Sequence, residues 1–215
     1  MPGRLGRLLG GLLLFGLGLT LMVRSGLGLS PWDVLHDGIA RRTGLTIGWI
    51  VIAMSLVVLV LWVPLRERPG LGTVANALGV GLVVNGTLAM VPAAGGIGWR
   101  WLFLAAGTVL IGVGTGLYIG AGLGSGPRDG LMTGLARRGW SIRWARTVVE
   151  VSVLAAGIAL GGTVGIGTLV FAVAIGPLAH FFIPRLTVHP AHARQAHATT
   201  PCAEPPPASA APCSR

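Results

Sequence analysis

Gly26-Leu27-Gly28-Leu29-Ser30-Pro31-Trp32-Asp33 recurs as Gly122-Leu123-Gly124-Ser125-Gly126-Pro127-Arg128-Asp129, and the fold is read from that repetition. The register holds beyond the motif. Leu35 matches Leu131, Gly38 matches Gly134, and Ala40-Arg41-Arg42 matches Ala136-Arg137-Arg138. After a one-residue gap, Thr46-Ile47-Gly48-Trp49 faces Ser141-Ile142-Arg143-Trp144, and Gly70-Leu71-Gly72-Thr73 faces Gly165-Ile166-Gly167-Thr168. Glycine-rich apolar segments resemble one another cheaply. Pro, Asp, an Arg pair and Trp falling into one register do not.

The segments carrying this repeat are apolar. The chain has 215 residues, 53% hydrophobic and only 10% charged, with mean hydropathy +0.78; an ordinary soluble domain is about 25% charged. Most of this surface therefore faces something other than water. The net charge of +10 could suggest nucleic acid, but that reading needs a basic patch on a soluble fold. Here the arginines stand at the ends of apolar runs, as juxtamembrane anchors do. Nucleic-acid binding is excluded on that ground, and the choice of Arg over Lys points to a GC-rich genome.

A helix needs about 20 apolar residues to cross the hydrocarbon core. Leu8–Val23, Thr43–Leu65, Pro69–Trp99 and Trp101–Pro127 each supply a candidate. Arg146–Pro184 is long enough for two spans joined by the turn Gly161-Gly162-Thr163-Val164-Gly165. The first run is not followed by a small-x-small cleavage site and is read as a span, not a removed signal. The expected fold is all-α and integral to the membrane: six transmembrane helices as two inverted three-span repeats, each with a short broken or re-entrant helix. Residues 1–92 make the first repeat, 93–186 the second, and 187–215 a disordered cytoplasmic tail rich in Ala, Pro and His. Cys202 and Cys213 lie in that tail and match no metal spacing; scattered His189, His192 and His197 are compositional there.

Arginine placement orients the chain. With the N-terminus inside, Arg4, Arg7, Arg66, Arg68, Arg185 and the cluster from Arg128 to Arg146 fall inside, and Arg24, Arg41, Arg42 and Arg100 outside. Both termini are then cytoplasmic, in a bacterial inner membrane.

The repeated motif contains helix-start signals: Ser30 at N-cap, Pro31 at N1 and Asp33 at N3, preceded by a Gly-Leu-Gly break. The following helix, to about Arg42 or Arg138, reaches only ~18 Å and cannot cross. It is either an interfacial helix whose acid caps its N-terminus, or a re-entrant arm pointing into a cavity. Broken helices at matching positions of two halves mark binding sites in secondary transporters. The candidate substrate-binding residues are Asp33, Asp129, Trp32, Arg128, Glu150 and Asn76. Glu150 is an acid inside a span and sits at i,i+4 from Arg146, so a structural ion pair competes with a site role. Asn76 and Asn85 could line a path or join helices. His36 and Asp37 have no counterpart in the second copy, where Met132 and Thr133 stand. The glycine stripes Gly112, Gly116, Gly120, Gly124 and Gly157, Gly161, Gly165 are packing surfaces. No nucleophile–base pair, metal-ligand cluster or phosphate loop is legible, so no enzyme, cofactor or metal is expected.

The patterns G-L-G-x-x-P-W-D-V-L-x-D-G-I-x-R-R-T-G, R-P-G-L-G-T and G-x-G-P-R-D-G-L-M, over roughly residues 5 to 185, resemble the YczE/YitT-type bacterial membrane proteins. That resemblance implies a bacterial inner-membrane location and little about substrate. A secondary transporter or channel for a small molecule or ion is the expected function. The alternative is a non-transporting accessory protein assisting assembly or export by another complex. Expected partners are the lipid bilayer and an unknown small molecule or ion, with homo-oligomerisation left open.

Overall fold

A computed structural model describes residues 2–187. The tail residues singled out above, from His189 onward, lie outside the described residues. Within them are eight helices: α1 (Pro2–Ser25), α2 (Pro31–Thr43), α3 (Ile47–Leu65), α4 (Leu71–Met90), α5 (Ile97–Gly120), α6 (Pro127–Ala136), α7 (Ile142–Ala159) and α8 (Ile166–Leu186). The connection between α4 and α5 contains the expected boundary at 92/93.

Five helices, α1, α3, α4, α5 and α8, are long and apolar enough to cross a membrane. That is one fewer than the six spans expected. The sixth, α7, has 18 residues but carries Arg143, Arg146 and Glu150 in its first half. The five apolar helices also wear their hydrophobic side chains outward. Val63 is 74% exposed and Val173 77%; a water-soluble monomer would not display so continuous an apolar surface. This is a multi-pass membrane protein.

Two helices form the spine. α1 and α5 cross antiparallel with glycine on both sides: Gly11 meets the backbone of Gly114, and Gly18 meets that of Gly107. A methyl at Gly18 would lie 2.7 Å from the Gly107 carbonyl oxygen, and one at Gly107 2.7 Å from that of Gly18. Small residues let membrane helices approach until their backbones touch. The stripe Gly112, Gly116 and Gly120 serves a different neighbour, seating Leu178, Phe182 and Leu186 of α8.

The two Gly-Leu-Gly turns have nearly the same backbone. Gly26 and Gly28 have φ of 62° and 131°, and Gly122 and Gly124 have 65° and 129°, values an L side chain rarely adopts. Each turn docks on the far half of the chain. The Gly167 N–H donates to the Leu27 carbonyl at 2.8 Å, and the Gly72 N–H to the Leu123 carbonyl at 2.9 Å. The starts of α8 and α4, with Thr168 and Thr73 bonded back to Gly165 and Gly70, thus hold the turns that precede α2 and α6.

Those short helices then pack crosswise, α2 on α7 and α6 on α3. Size is exchanged between the two contacts. Val34 of α2 rests on Gly157 of α7, where a methyl would meet the Leu35 nitrogen at 2.6 Å. Gly130 of α6 lies against Trp62 of α3, where a methyl would overlap the indole ring. The other ends are tied by arginines: Arg42 donates to the Ala159 and Leu160 carbonyls at 3.2 Å, and Arg138 to the Pro64 carbonyl.

Candidate functional site

The N-termini of α2 and α6 meet. Ser30 caps α2, accepting from the Asp33 N–H at 3.3 Å, while Gly126 holds the corresponding place before α6 with no side chain to cap. Pro at the first helical position stands in both, where its missing N–H costs nothing. Both helices end sooner than a span, α2 at Thr43 and α6 at Ala136.

Asp33 is 3% exposed and is surrounded by partners. Ser30 Oγ donates to Oδ2 at 2.5 Å. His36 Nδ1 lies 3.2 Å from Oδ1, and Arg128 Nη2 reaches the same oxygen at 3.4 Å from the other half of the chain. The Arg128 guanidinium also lies over the Trp32 ring, 5.1 Å from its centroid, a cation–π arrangement. Trp62 Nε1 donates to the Pro127 carbonyl at 3.0 Å, fixing the start of α6. The Trp32 indole nitrogen is buried with no hydrogen-bond partner among the described residues, which costs about 1–3 kcal/mol. Asp129 has a simpler setting: the Tyr118 hydroxyl of α5 donates to Oδ2.

Between these helix starts lies a cavity of about 160 Å³, close to the ~150 Å³ that accommodates benzene in an engineered protein core. Ser30, Pro31 and Trp32 line it from α2, and Gly126 to Asp129 from α6. Phe15, Ile111 and Phe171 supply apolar wall, and Ser55 and Thr115 isolated hydroxyls. The cavity extends between α7 and α8, lined there by Arg146, Glu150, Ala179 and Ile183. Arg146 Nε and Glu150 Oε1 pair at 2.9 Å. Among the described residues, no group of His, Cys, Asp and Glu could hold a metal.

Of the six residues singled out in the sequence, Trp32, Arg128, Asp129, Glu150 and Asn76 line this one cavity. Asp33 does not; it sits behind Arg128, which it holds. Asn85 lies elsewhere, accepting from Thr46 at 2.6 Å on the outer faces of α3 and α4. Tyr118, the single tyrosine of the chain, joins the site although no motif marks it. His36 has no counterpart in the second copy, yet it packs against Asp33. Asp37 serves the far end of α2, accepting from the Thr163 N–H and hydroxyl at 2.8 and 2.7 Å and from Arg41 at 3.0 Å.

Comparison with known proteins places the chain in a family. Residues 3–184 match a family described as "Family of unknown function (DUF6198)". The chain belongs to the DUF6198 family. It is 42% identical over 177 residues to an uncharacterized protein of Haemophilus influenzae, covering 82% of this chain and 81% of that one. It is 35% identical over 176 residues to the uncharacterized membrane protein YczE of Bacillus subtilis, covering 81% of each. A second Bacillus subtilis relative, the uncharacterized protein YyaS, is 32% identical over 190 residues, 83% of this chain and 92% of its own. No solved structure matches. The DUF6198 match spans α1 nearly to the end of α8, so the cavity and both helix starts lie wholly inside it. The resemblance to YczE read from the motifs is thereby shown.

Proposed function

We propose that this protein is a secondary transporter of a small solute, built from inverted repeats: α1 to α4 and α5 to α8, with α2 and α6 as the broken helices. In this reading α7 is the sixth span, both termini are cytoplasmic, and the membrane is a bacterial inner one. The observation that carries it is a single cavity lined by both Pro-x-Asp helix starts. Midplane sites framed by broken helices from two related halves are the usual arrangement in such carriers. The antiparallel α1–α5 crossing supports inversion, because Gly11–Gly114 and Gly107–Gly18 are the same contact seen from each half. The exchanged docking of the Gly-Leu-Gly turns supports it again.

The halves differ in a way that fits one state of a carrier. α3 packs along α4 through Gly48 and Gly81, whose backbones touch. α7 packs on α2 and α6, not along α8, and Gly176, the counterpart of Gly81, meets nothing within 4 Å. The cavity lining continues onto that side through Arg146, Glu150, Ala179 and Ile183. In this reading the protein acts as a carrier and not as an enzyme.

Accessibility tests this. In a Cys202→Ser, Cys213→Ser background, Thr115→Cys places a thiol in the cavity wall. A membrane-impermeant maleimide should label it from either face, in right-side-out and inverted vesicles alike. Labelling confined to one face under every condition would mean a static pocket.

A further inference from the structure

We infer that the cavity binds a small zwitterion of the amino-acid class with an apolar side chain, its carboxylate on Arg128 and its ammonium on Asp129 and Asn76. The inference rests on the transporter reading only for the fate of the ligand; the binding itself rests on the cavity walls.

Consider the unused hydrogen-bonding capacity. A guanidinium has five N–H donors. That of Arg128 spends one on Asp33, at a long 3.4 Å, while its side chain stays 23% exposed. It is held from behind by that contact and from one face by Trp32, which leaves its fork presented to the cavity it lines. A planar fork with free donors in a confined apolar setting is a carboxylate receptor. Asp129 offers the opposite. Its Oδ2 accepts from Tyr118, and among the described residues no donor is bonded to Oδ1. The Asn76 amide, near Gly126, makes no hydrogen bond among the described residues either, and it lines the same cavity. One wall therefore lacks an acceptor and another lacks a donor.

Charge decides against the simpler ligands. Arg146 is spent on Glu150, whereas Arg128, only loosely engaged by the buried Asp33, keeps donors free beside Asp129, which has no cation of its own in contact among the described residues. A lone anion would add charge beside two carboxylates, and a lone cation would face an arginine. At membrane depth, uncompensated charge is costly. A zwitterion meets both signs and adds no net charge. The remaining wall, from Phe15, Val80, Ile111, Phe171 and Ile175, suits an apolar side chain, and a cavity of about 160 Å³ sets the size near that of valine or leucine.

The test uses the full chain purified in detergent and its melting temperature, since a ligand that binds only the folded state raises it. The probes are L-alanine, L-valine and L-leucine, with isobutyrate and isobutylamine as relatives of valine bearing a single charge. At least one amino acid should raise the melting temperature, at concentrations at least about tenfold below those at which either single-charge probe has the same effect. Arg128→Lys and Asp129→Asn should each abolish the shift while still melting cooperatively. If either variant fails to fold, Thr115→Cys in the otherwise intact site provides the second readout, and L-valine should slow its labelling. A shift from isobutyrate equal to that from valine would overturn the ammonium contact. Absence of both shift and protection with all three amino acids would overturn the inference, even if the cavity thiol proves reachable from both faces and the transporter reading stands. Binding without uptake into liposomes would leave the inference standing and remove the transporter reading.

Discussion

α2 and α6 begin with the same Pro-x-Asp signal and end at equivalent arginine ties, yet the acid of one is buried among several partners and that of the other has one. In α2 the hydroxyl of Ser30 caps the helix, and Asp33 is engaged by Ser30, His36 and Arg128. The far end of α2 is latched by Asp37 to Thr163. In α6 a glycine takes the cap position, Asp129 has Tyr118, and the far end is tied by Arg137 to Glu67 at 3.1 Å and by Arg138 to Pro64. The helix is also shorter, 10 residues against 13. The matching sequence patterns supply a common frame. Differences within it set Asp33 behind Arg128 and leave Asp129 at the cavity wall.

The largest effect should come from the size exchange beneath the two helices. Gly130→Val restores the residue found at Val34 but drives it into Trp62. Over-packing costs about 1–3 kcal/mol where neighbours can yield and more where a ring and a backbone are both fixed, so this variant should lose most of its folded, cooperatively melting fraction. Pairing it with Trp62→Ala should recover part of the loss, because contacting sites do not add. A double variant as poor as the sum of the two would show that the contact between α3 and α6 does not matter.

Next come the acids themselves. Asp33→Asn removes the charge balancing Arg128 within a buried cluster, and breaking such a pair typically costs about 3–5 kcal/mol. Asp129→Asn leaves Tyr118 an acceptor and should cost roughly 1 kcal/mol or less, while still removing ligand response. Unfolding of the purified variants compares them directly. Equal losses would erase the distinction between the two acids.

The latch should matter less. Asp37→Ala leaves the Thr163 N–H and hydroxyl without their carboxylate, at about 1–2 kcal/mol given partial exposure. Its signature should be faster hydrogen exchange at the turn between α7 and α8, with α6 unaffected. The smallest effect is expected from Thr46→Val, which loses the bond to Asn85 on the exposed side of α3 and α4, roughly 0.5 kcal/mol. A melting temperature well below that of Asp37→Ala would reverse the order.

The sequence carried the frame and missed the asymmetry. The helix starts were readable because Ser, Pro and Asp at fixed spacing have a local cause, and Ser30 does accept from the Asp33 N–H. Five of the six expected spans appear as helices long and apolar enough to cross, and α7, with three charges, does not. Of the five wall residues, Trp32, Arg128 and Asp129 are marked by the repeated motif, and Asn76 and Glu150 are polar groups within apolar runs. The role of Asp33 was not legible. Whether an acid faces a cavity or supports an arginine from behind depends on a residue in the other half of the chain, and no local pattern encodes that. Tyr118 was missed for the same reason, since its partner Asp129 lies beyond a turn. The glycines separated only in part. Those of α5 formed visible stripes, whereas the crossing with α1 is made by Gly107 and Gly114, outside them.

The central claim is that the two halves exchange roles around one cavity. By the repeat, Thr46 and Asn85, bonded at 2.6 Å, correspond to Ser141, which caps α7, and His180 of α8, and those two helices do not pack along each other. Spin-label distances in liposomes, measured on Thr46→Cys/Asn85→Cys and on Ser141→Cys/His180→Cys in a chain lacking Cys202 and Cys213, test this most directly. The account predicts two populations for each pair, with conditions that lengthen one distance shortening the other. A single short distance at 46 and 85 and a single long one at 141 and 180, unchanged by any solute, would contradict it.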